Sequence, residues 1–325
     1  MSPTDHYDAL IQRISQWAID EVCGKGKKPK TNREVEDVER RIAQTIEHAE
    51  IFHFTPHPKQ DWFMRAKAPI TAAVTGNKWG KTVALLSLGM VSTLHCVPWA
   101  PRDEQEEAYA RYSKVASDYE PPIQVVLSGP DMVTWLPMNI VPRLKKLIPW
   151  DALVVKTSRQ QGQVIDGIEF WNGSSWKILS YMSEPERYEG WSCHLKLWDE
   201  PMDRVRFISA SRGCIEFQAP HVMSFTPENL RDAFVVDDIV LAAHHITSEE
   251  SFNAVATQKP QIVVVEGSLY DNPYIPQEAK EQQVLMWTAE ERISRVEGKL
   301  RFFVGAVYKS FSRDKHVKEL EALVG

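Results

Sequence analysis

Apolar residues at helical spacing open the chain. Ala9, Leu10, Ile14, Trp17, Ala18 and Val22 line one face of residues 5–22 and predict an amphipathic helix. A lysine-rich break, GKGKKPKTN at 24–32, reads as a solvated loop, and a charged helix is expected over 33–49. From about Ile70 the pattern changes. Short apolar runs at 70–75, 123–128, 195–198 and 222–226 are each followed by turn residues and then by helix-compatible sequence. That alternation predicts a mainly parallel sheet covered by helices. The runs 168–171 and 176–181 flank Asn172-Gly173-Ser174-Ser175, a hairpin turn. A further run, 262–265, precedes a polar helix expected over 276–296.

Composition narrows the class. The 325 residues are 43% hydrophobic and 25% charged, the balance of a soluble globular protein. No run approaches the ~18 apolar residues of a membrane span, and the polar N-terminus lacks the layout of a secretory signal. Cytoplasmic residence is therefore expected. Cys23, Cys96, Cys193 and Cys214 are far apart in sequence, without metal-type spacing, and are expected to be reduced thiols. His244-His245 reads as structural. The net charge of −6 does not advertise a nucleic-acid partner, which would meet the chain through local cations.

The most informative stretch runs from Thr71 to Leu86. A short apolar strand enters a loop, Thr75-Gly76-Asn77-Lys78-Trp79-Gly80, that ends in Lys81-Thr82 where a helix begins. Backbone N–H groups of such a loop donate to phosphate oxygens at a helix N-terminus. Lys81 would reach the β- and γ-phosphates and the Thr82 hydroxyl would ligate Mg²⁺. The general pattern wants its first glycine where Thr75 stands; Gly76 comes one place late. Gly-Lys-Thr alone arises by chance, and the strand before and helix after give it meaning.

About 115 residues later an apolar strand ends in Asp199-Glu200-Pro201. Asp199 would hold Mg²⁺, and Glu200 would orient and deprotonate the attacking water. Proline stops the strand, leaving both acids at its C-terminal end, where open α/β sheets bind ligands. Adjacent acids capping the next helix are the plain alternative. The strand ending in Ser224-Phe225-Thr226-Pro227 carries hydroxyls that could sense the γ-phosphate.

In this order and spacing the segments resemble the ATPase part of tailed-bacteriophage large terminase subunits, over about residues 54–311. The resemblance implies that Gln60, in Phe54-Thr55-Pro56-His57-Pro58-Lys59-Gln60, reads the base. It also accounts for the late Gly76, since the family favours G-N-R-x-G-K-T; Lys78 stands for the loop arginine. Phe170-Trp171-Asn172-Gly173-Ser174, Arg187-Tyr188-Glu189-Gly190, Ser268–Pro273 and Gly305–Phe311 are similar to further family segments.

The expected fold is thus α/β, a P-loop NTPase of RecA-like, ASCE type with a mainly parallel sheet flanked by helices. An N-terminal helical region (1–50), an ATPase core (51–245), a lid or C-terminal part of the ATPase domain (246–311) and a linker (312–325) toward an absent nuclease domain are expected. The resemblance implies an ATPase that uses ATP and Mg²⁺ to move double-stranded DNA into a procapsid and does not cut it. The nucleotide would lie among Gln60, Thr75, Gly76, Asn77, Lys78, Trp79, Gly80, Lys81, Thr82 and Thr226. Catalysis would rest on Glu200, Lys81 and Lys78, and the metal on Thr82 and Asp199. A terminase small subunit and a portal are the implied partners, with a homo-oligomeric ring on the portal, a monomer when alone, and the host cytoplasm as setting. Arg143, Arg159, Arg187 and Arg212 are candidates for a cation given to a neighbouring subunit. The side chains of Trp62, Trp79 and Trp135 read as packing. A helicase-like ATPase and a nucleotide-binding structural module are the alternatives; the first needs a second RecA-like domain, and intact Lys81, Thr82, Asp199 and Glu200 speak against the second.

Overall fold

In the computed structural model, which describes residues 1–116, 119–160, 164–228 and 234–300, the apolar runs become strands of one nine-stranded sheet. They are β1 Ile70–Thr75, β2 Gln124–Gly129, β3 Val154–Gln160, β4 Val164–Phe170, β5 Ser175–Ser180, β6 Leu195–Asp199, β7 His221–Phe225, β8 His244–Ile246 and β9 Ile262–Gly267. The order across the sheet is β3-β4-β5-β2-β6-β7-β1-β9-β8. Pairing is parallel from β5 to β8, while β4 runs antiparallel to β5 and β3 antiparallel to β4. β6 and β7 are buried throughout, as strands covered on both faces must be.

Side-chain alternation divides the interior into two cores. Leu195, Leu197, Val222, Val263 and Val265 face one side, where helices α1 (Pro3–Cys23), α2 (Asn32–His48), α3 (Pro58–Arg65) and α4 (Lys81–Leu94) lie. Ala72, Val74, Trp198, Met223, Phe225 and Val264 face the other side, against helix Arg204–Cys214 and its neighbours. Capping boxes at Ser2/Asp5 and Thr31/Glu34 start α1 and α2. α4 is buried from Ala84 to Leu94, so its sequence is apolar all round. β7 lies between β1 and β6.

Several details differ from the sequence reading. Leu10 and Ile14 of α1 join the same core as the sheet. β9 and then β8 extend the sheet beside β1. The single helix expected over 276–296 is two, Gln277–Leu285 and Ala289–Arg295; Thr288 caps the second in a box with Glu291. Strands β3 and β8 went unrecognised, the first an outer strand carrying Lys156, Ser158 and Arg159, the second only three residues long. Cys193 and Cys214, distant in sequence, bring their sulfurs to 3.7 Å, both as free thiols. His245 Nδ1 lies 2.6 Å from a carboxylate oxygen of Glu266, a contact between β8 and β9. The segment 305–311 and the linker 312–325 lie outside the described residues.

The strand read as apolar also buries a lysine. Lys196 is 1% exposed; its ammonium donates to Ser128 Oγ at 2.5 Å and lies over the rings of Trp198 and Tyr188. Burial without a carboxylate pushes its pKa down from 10.5 to about 7. Between those values the unfolded chain holds the proton that the folded one has lost, so stability rises with pH across that window. Lys196→Met, similar in length and uncharged, should remove this rise. In melting curves the variant's advantage is expected to be greatest near or below pH ~7 and to shrink toward pH ~10; a constant difference would mean that Lys196 stays charged.

Candidate active site

The loop between β1 and α4 is held from outside, carbonyl by carbonyl. Asn272 Nδ2 donates to the Lys78 carbonyl at 2.6 Å, His57 Nε2 lies 3.1 Å from the Trp79 carbonyl, and Gln60 Nε2 donates to the Gly80 carbonyl at 3.2 Å. Lys78 and Gly80 have left-handed backbone, φ 59° and 98°. Alternation of that kind lets successive N–H groups converge on an anion. No side chain caps α4, so its first amides remain for a ligand.

This geometry refines the expected roles. The N–H groups of Gly76 and Asn77 donate to the carbonyls of Gly267 (2.8 Å) and Arg295 (2.6 Å), so neither is free for a ligand in this structure. Thr75 is wholly buried with its hydroxyl turned to the Gly76 carbonyl, and the Trp79 indole is wholly buried against His57 and Phe63. Both therefore face the core, and Trp79 offers a ligand only its backbone. Gln60, expected to read a base, has both amide atoms engaged: its oxygen accepts from the His57 N–H at 3.1 Å while its nitrogen holds Gly80. In this structure Gln60 supports the loop. Lys78 is exposed on the outer turn.

Across from the loop, β6 and β7 deliver the acids and hydroxyls. A strand sends successive side chains to opposite faces, yet Asp199 and Glu200 both meet the loop. Glu200 achieves this at φ 71°, a backbone region that costs a bulky residue energy and recurs at functional sites. Its N–H donates to the Ser224 carbonyl at 2.8 Å, and the Tyr181 hydroxyl shares its proton between the carbonyls of Asp199 (3.1 Å) and Glu200 (2.8 Å). Burial pushes the Tyr181 pKa well up, keeping that donor protonated.

Asp199 is 3% exposed and accepts three hydrogen bonds, from Thr82 Oγ1 (3.1 Å), Ser224 Oγ (3.1 Å) and Trp135 Nε1 (2.8 Å). Lys81 Nζ donates to Thr226 Oγ1 at 2.6 Å and lies 3.7 Å from Glu200 Oε1. Burial raises the Glu200 pKa, and Lys81 works against that rise. Thr226 in turn donates to Asn77 Oδ1 at 3.2 Å, closing a contact between β7 and the loop.

The acid and hydroxyl fit a magnesium ion. Oxygens at right angles on an octahedral Mg²⁺ with bonds of about 2.0–2.1 Å stand roughly 3 Å apart; Thr82 Oγ1 and Asp199 Oδ1 are 3.1 Å apart. Among the described residues no cluster of three or more His, Cys, Asp or Glu could hold a metal. Two protein oxygens, with phosphates and water completing the shell, suit magnesium's reluctance to shed its waters.

Sequence reasoning missed Trp135, taken for a packing residue, together with Tyr181, His57 and Asn272. Asn272 fell in a segment singled out without a role. Of the arginine candidates, Arg143 donates to Asn139 and Arg212 pairs with Glu189, while Arg159 is exposed on β3 and Arg187 on the short helix before β6. The basic cluster on the helix Val141–Leu147 is partly satisfied within the chain: Lys146 pairs with Glu50 and Lys145 lies over Trp150.

No protein-family model matches the chain, and no curated protein matches it in sequence. Among solved structures the fold is shared with the large terminase of a thermophilic bacteriophage. One crystal form is 15% identical with a TM-score of 0.53, over 81% of this chain and 58% of that one. The same terminase in complex with ADP is 15% identical with a TM-score of 0.50, over 81% and 57%. The chain therefore spans under three-fifths of those terminases' length, and at this identity the likeness is one of fold: a terminase ATPase-like α/β fold with a mostly parallel sheet.

Proposed function

We propose that this chain is an ATPase of terminase type, hydrolysing ATP to drive double-stranded DNA into a procapsid. The observation that carries the reading is convergence. Lys81 and Thr82 at the start of α4, Asp199 and Glu200 at the end of β6, and Thr226 just past β7 touch one another across a single cleft at the C-terminal edge of the sheet.

The mechanism is in-line attack of water on the γ-phosphate. Amides of residues 78–82 hold the phosphate oxygens, with Lys78 and Lys81 as cations. Thr82 and Asp199 would hold a magnesium ion, which when bound would supply positive charge to offset that of the phosphates. Before nucleotide arrives, Lys81 sits between Glu200 and Thr226; a triphosphate competes for that ammonium and frees the Glu200 carboxylate to orient the water and accept its proton. The raised Glu200 pKa makes it a better proton acceptor than an ordinary glutamate. DNA, a small terminase subunit and a portal are the partners of this reading, and a ring of copies on the portal in the host cytoplasm its setting. The fold shared with a large terminase supports this reading; the net charge of −6 does not, and DNA would be met through local cations.

The test is ATP turnover by wild type and variants, with and without double-stranded DNA at low salt. Wild type is expected to turn over ATP and to be stimulated by DNA. Glu200→Gln should bind nucleotide as wild type does and lose about 10²–10⁴-fold in turnover, whereas equal rates would remove Glu200 from its role. Lys81→Ala should weaken nucleotide binding by roughly ten- to a hundredfold; unchanged affinity would refute the loop assignment. Trp135→Phe keeps the ring and deletes the donor to Asp199. It should fold normally yet need about 10–100-fold more magnesium for half-maximal turnover, and an unaltered magnesium titration would return Trp135 to the packing residues.

A further inference from the structure

The segment covering the phosphate loop carries a cation that the scheme above leaves unused. Helix Ala289–Arg295 ends on the loop, with the Arg295 carbonyl accepting the Asn77 N–H at 2.6 Å. The next residues press backbone on backbone. A Cβ on Gly76 would collide with the Val296 carbonyl oxygen, and one on Gly298 (φ 67°) would lie 2.7 Å from the Gly76 nitrogen. Only glycine at both places permits the approach.

From this anchored point the Arg295 side chain reaches across to Glu228, Nη2 to Oε1 at 2.7 Å. Its Nε is buried without a hydrogen-bond partner among the described residues; the carboxylate of Glu291, one turn back on the helix, stands 3.9 Å away. Glu228 lies two residues beyond Thr226, and its N–H donates to the Thr226 carbonyl at 2.7 Å. The Thr226 hydroxyl bonds Asn77 Oδ1, and Asn77 leads back to Arg295. A closed circuit results: Asn77, Arg295, Glu228, Thr226. Lys81 touches it at Thr226, where the ammonium rests without phosphate.

We propose that Arg295 is the residue by which the covering segment tells a triphosphate from a diphosphate. A terminal phosphate offers the guanidinium two or more charged oxygens and a partner for Nε, against the one close carboxylate of the present contact. Arg295 then exchanges Glu228 for the γ-phosphate, and that extra contact, made only with the triphosphate, is what shifts the segment. After hydrolysis and phosphate loss the guanidinium returns to Glu228. The proposal rests on the loop's being a nucleotide site.

The experiment compares binding of ATPγS and of ADP, each with magnesium, to wild type, Arg295→Ala, Arg295→Lys and Glu228→Gln, alongside melting curves. Wild type should favour the triphosphate. Arg295→Ala should lose on the order of tenfold in ATPγS affinity with ADP affinity unchanged, and Arg295→Lys should fall between. Glu228→Gln, which removes the competitor, should tighten ATPγS and leave ADP alone. Equal losses for both nucleotides would make Arg295 merely structural and overturn the proposal. Should Arg295→Ala fail to fold, Glu228→Gln decides, and unchanged or weaker ATPγS binding sinks the idea. A wild type that binds neither nucleotide would refute the loop assignment itself, an outcome separate from loss of discrimination alone.

Discussion

Parallel pairing of β6, β7 and β1 side by side is the constraint on which everything else depends. In a parallel set every strand ends at the same edge, so residues that finish each strand are neighbours in space whatever their separation in sequence. Asp199 pairs in register with Ser224, and Val74 with Phe225. The next residue on each chain, Glu200, Thr226 and the loop after Thr75, then has one cleft to face. A slip of one residue in any pair would send its end group to the opposite face.

Within that cleft the charges are balanced before any ligand is present. Burying a carboxylate is costly unless hydrogen bonds replace water, and Asp199 has three donors from three elements, Trp135, Thr82 and Ser224. Glu200 is less fully satisfied, leaning on Lys81 and a long contact from the Thr226 N–H at 3.5 Å. The two neighbouring acids thereby acquire different duties. Asp199 is fixed by its three donors, while Glu200 keeps a loosely held carboxylate whose proton affinity is raised by burial.

The phosphate loop itself depends on parts of the chain that carry no phosphate-binding signature. His57 and Gln60 brace it from the start of α3; Asn272, Gly267 and Arg295 brace it from the end of β9 onward. A short loop with left-handed backbone at two positions could not hold its amides convergent alone, because the entropy of so short a flexible stretch favours many shapes. Supports from both flanks remove that freedom. They also link the loop to the segment that covers it, so that loop and cover cannot move independently.

The sequence by itself determined the elements whose physics is local. The amphipathic N-terminal helix followed from its periodicity, β1 and β6 from their apolar runs, and the placement of Lys81 and Thr82 at a helix start and of Asp199 and Glu200 at a strand end from residue type and order. Order and spacing also pointed to the fold. What only the tertiary structure decided are the contacts between distant segments: the indole of Trp135 on Asp199, the hydrogen bond from Gln60 to the Gly80 carbonyl, the approach of Cys193 to Cys214, and the circuit through Arg295 and Glu228. A tryptophan that packs and a tryptophan that donates to a buried carboxylate have the same sequence signature. Which one a position becomes depends on where the sheet's register carries the acid, a non-local pairing that no window of sequence encodes.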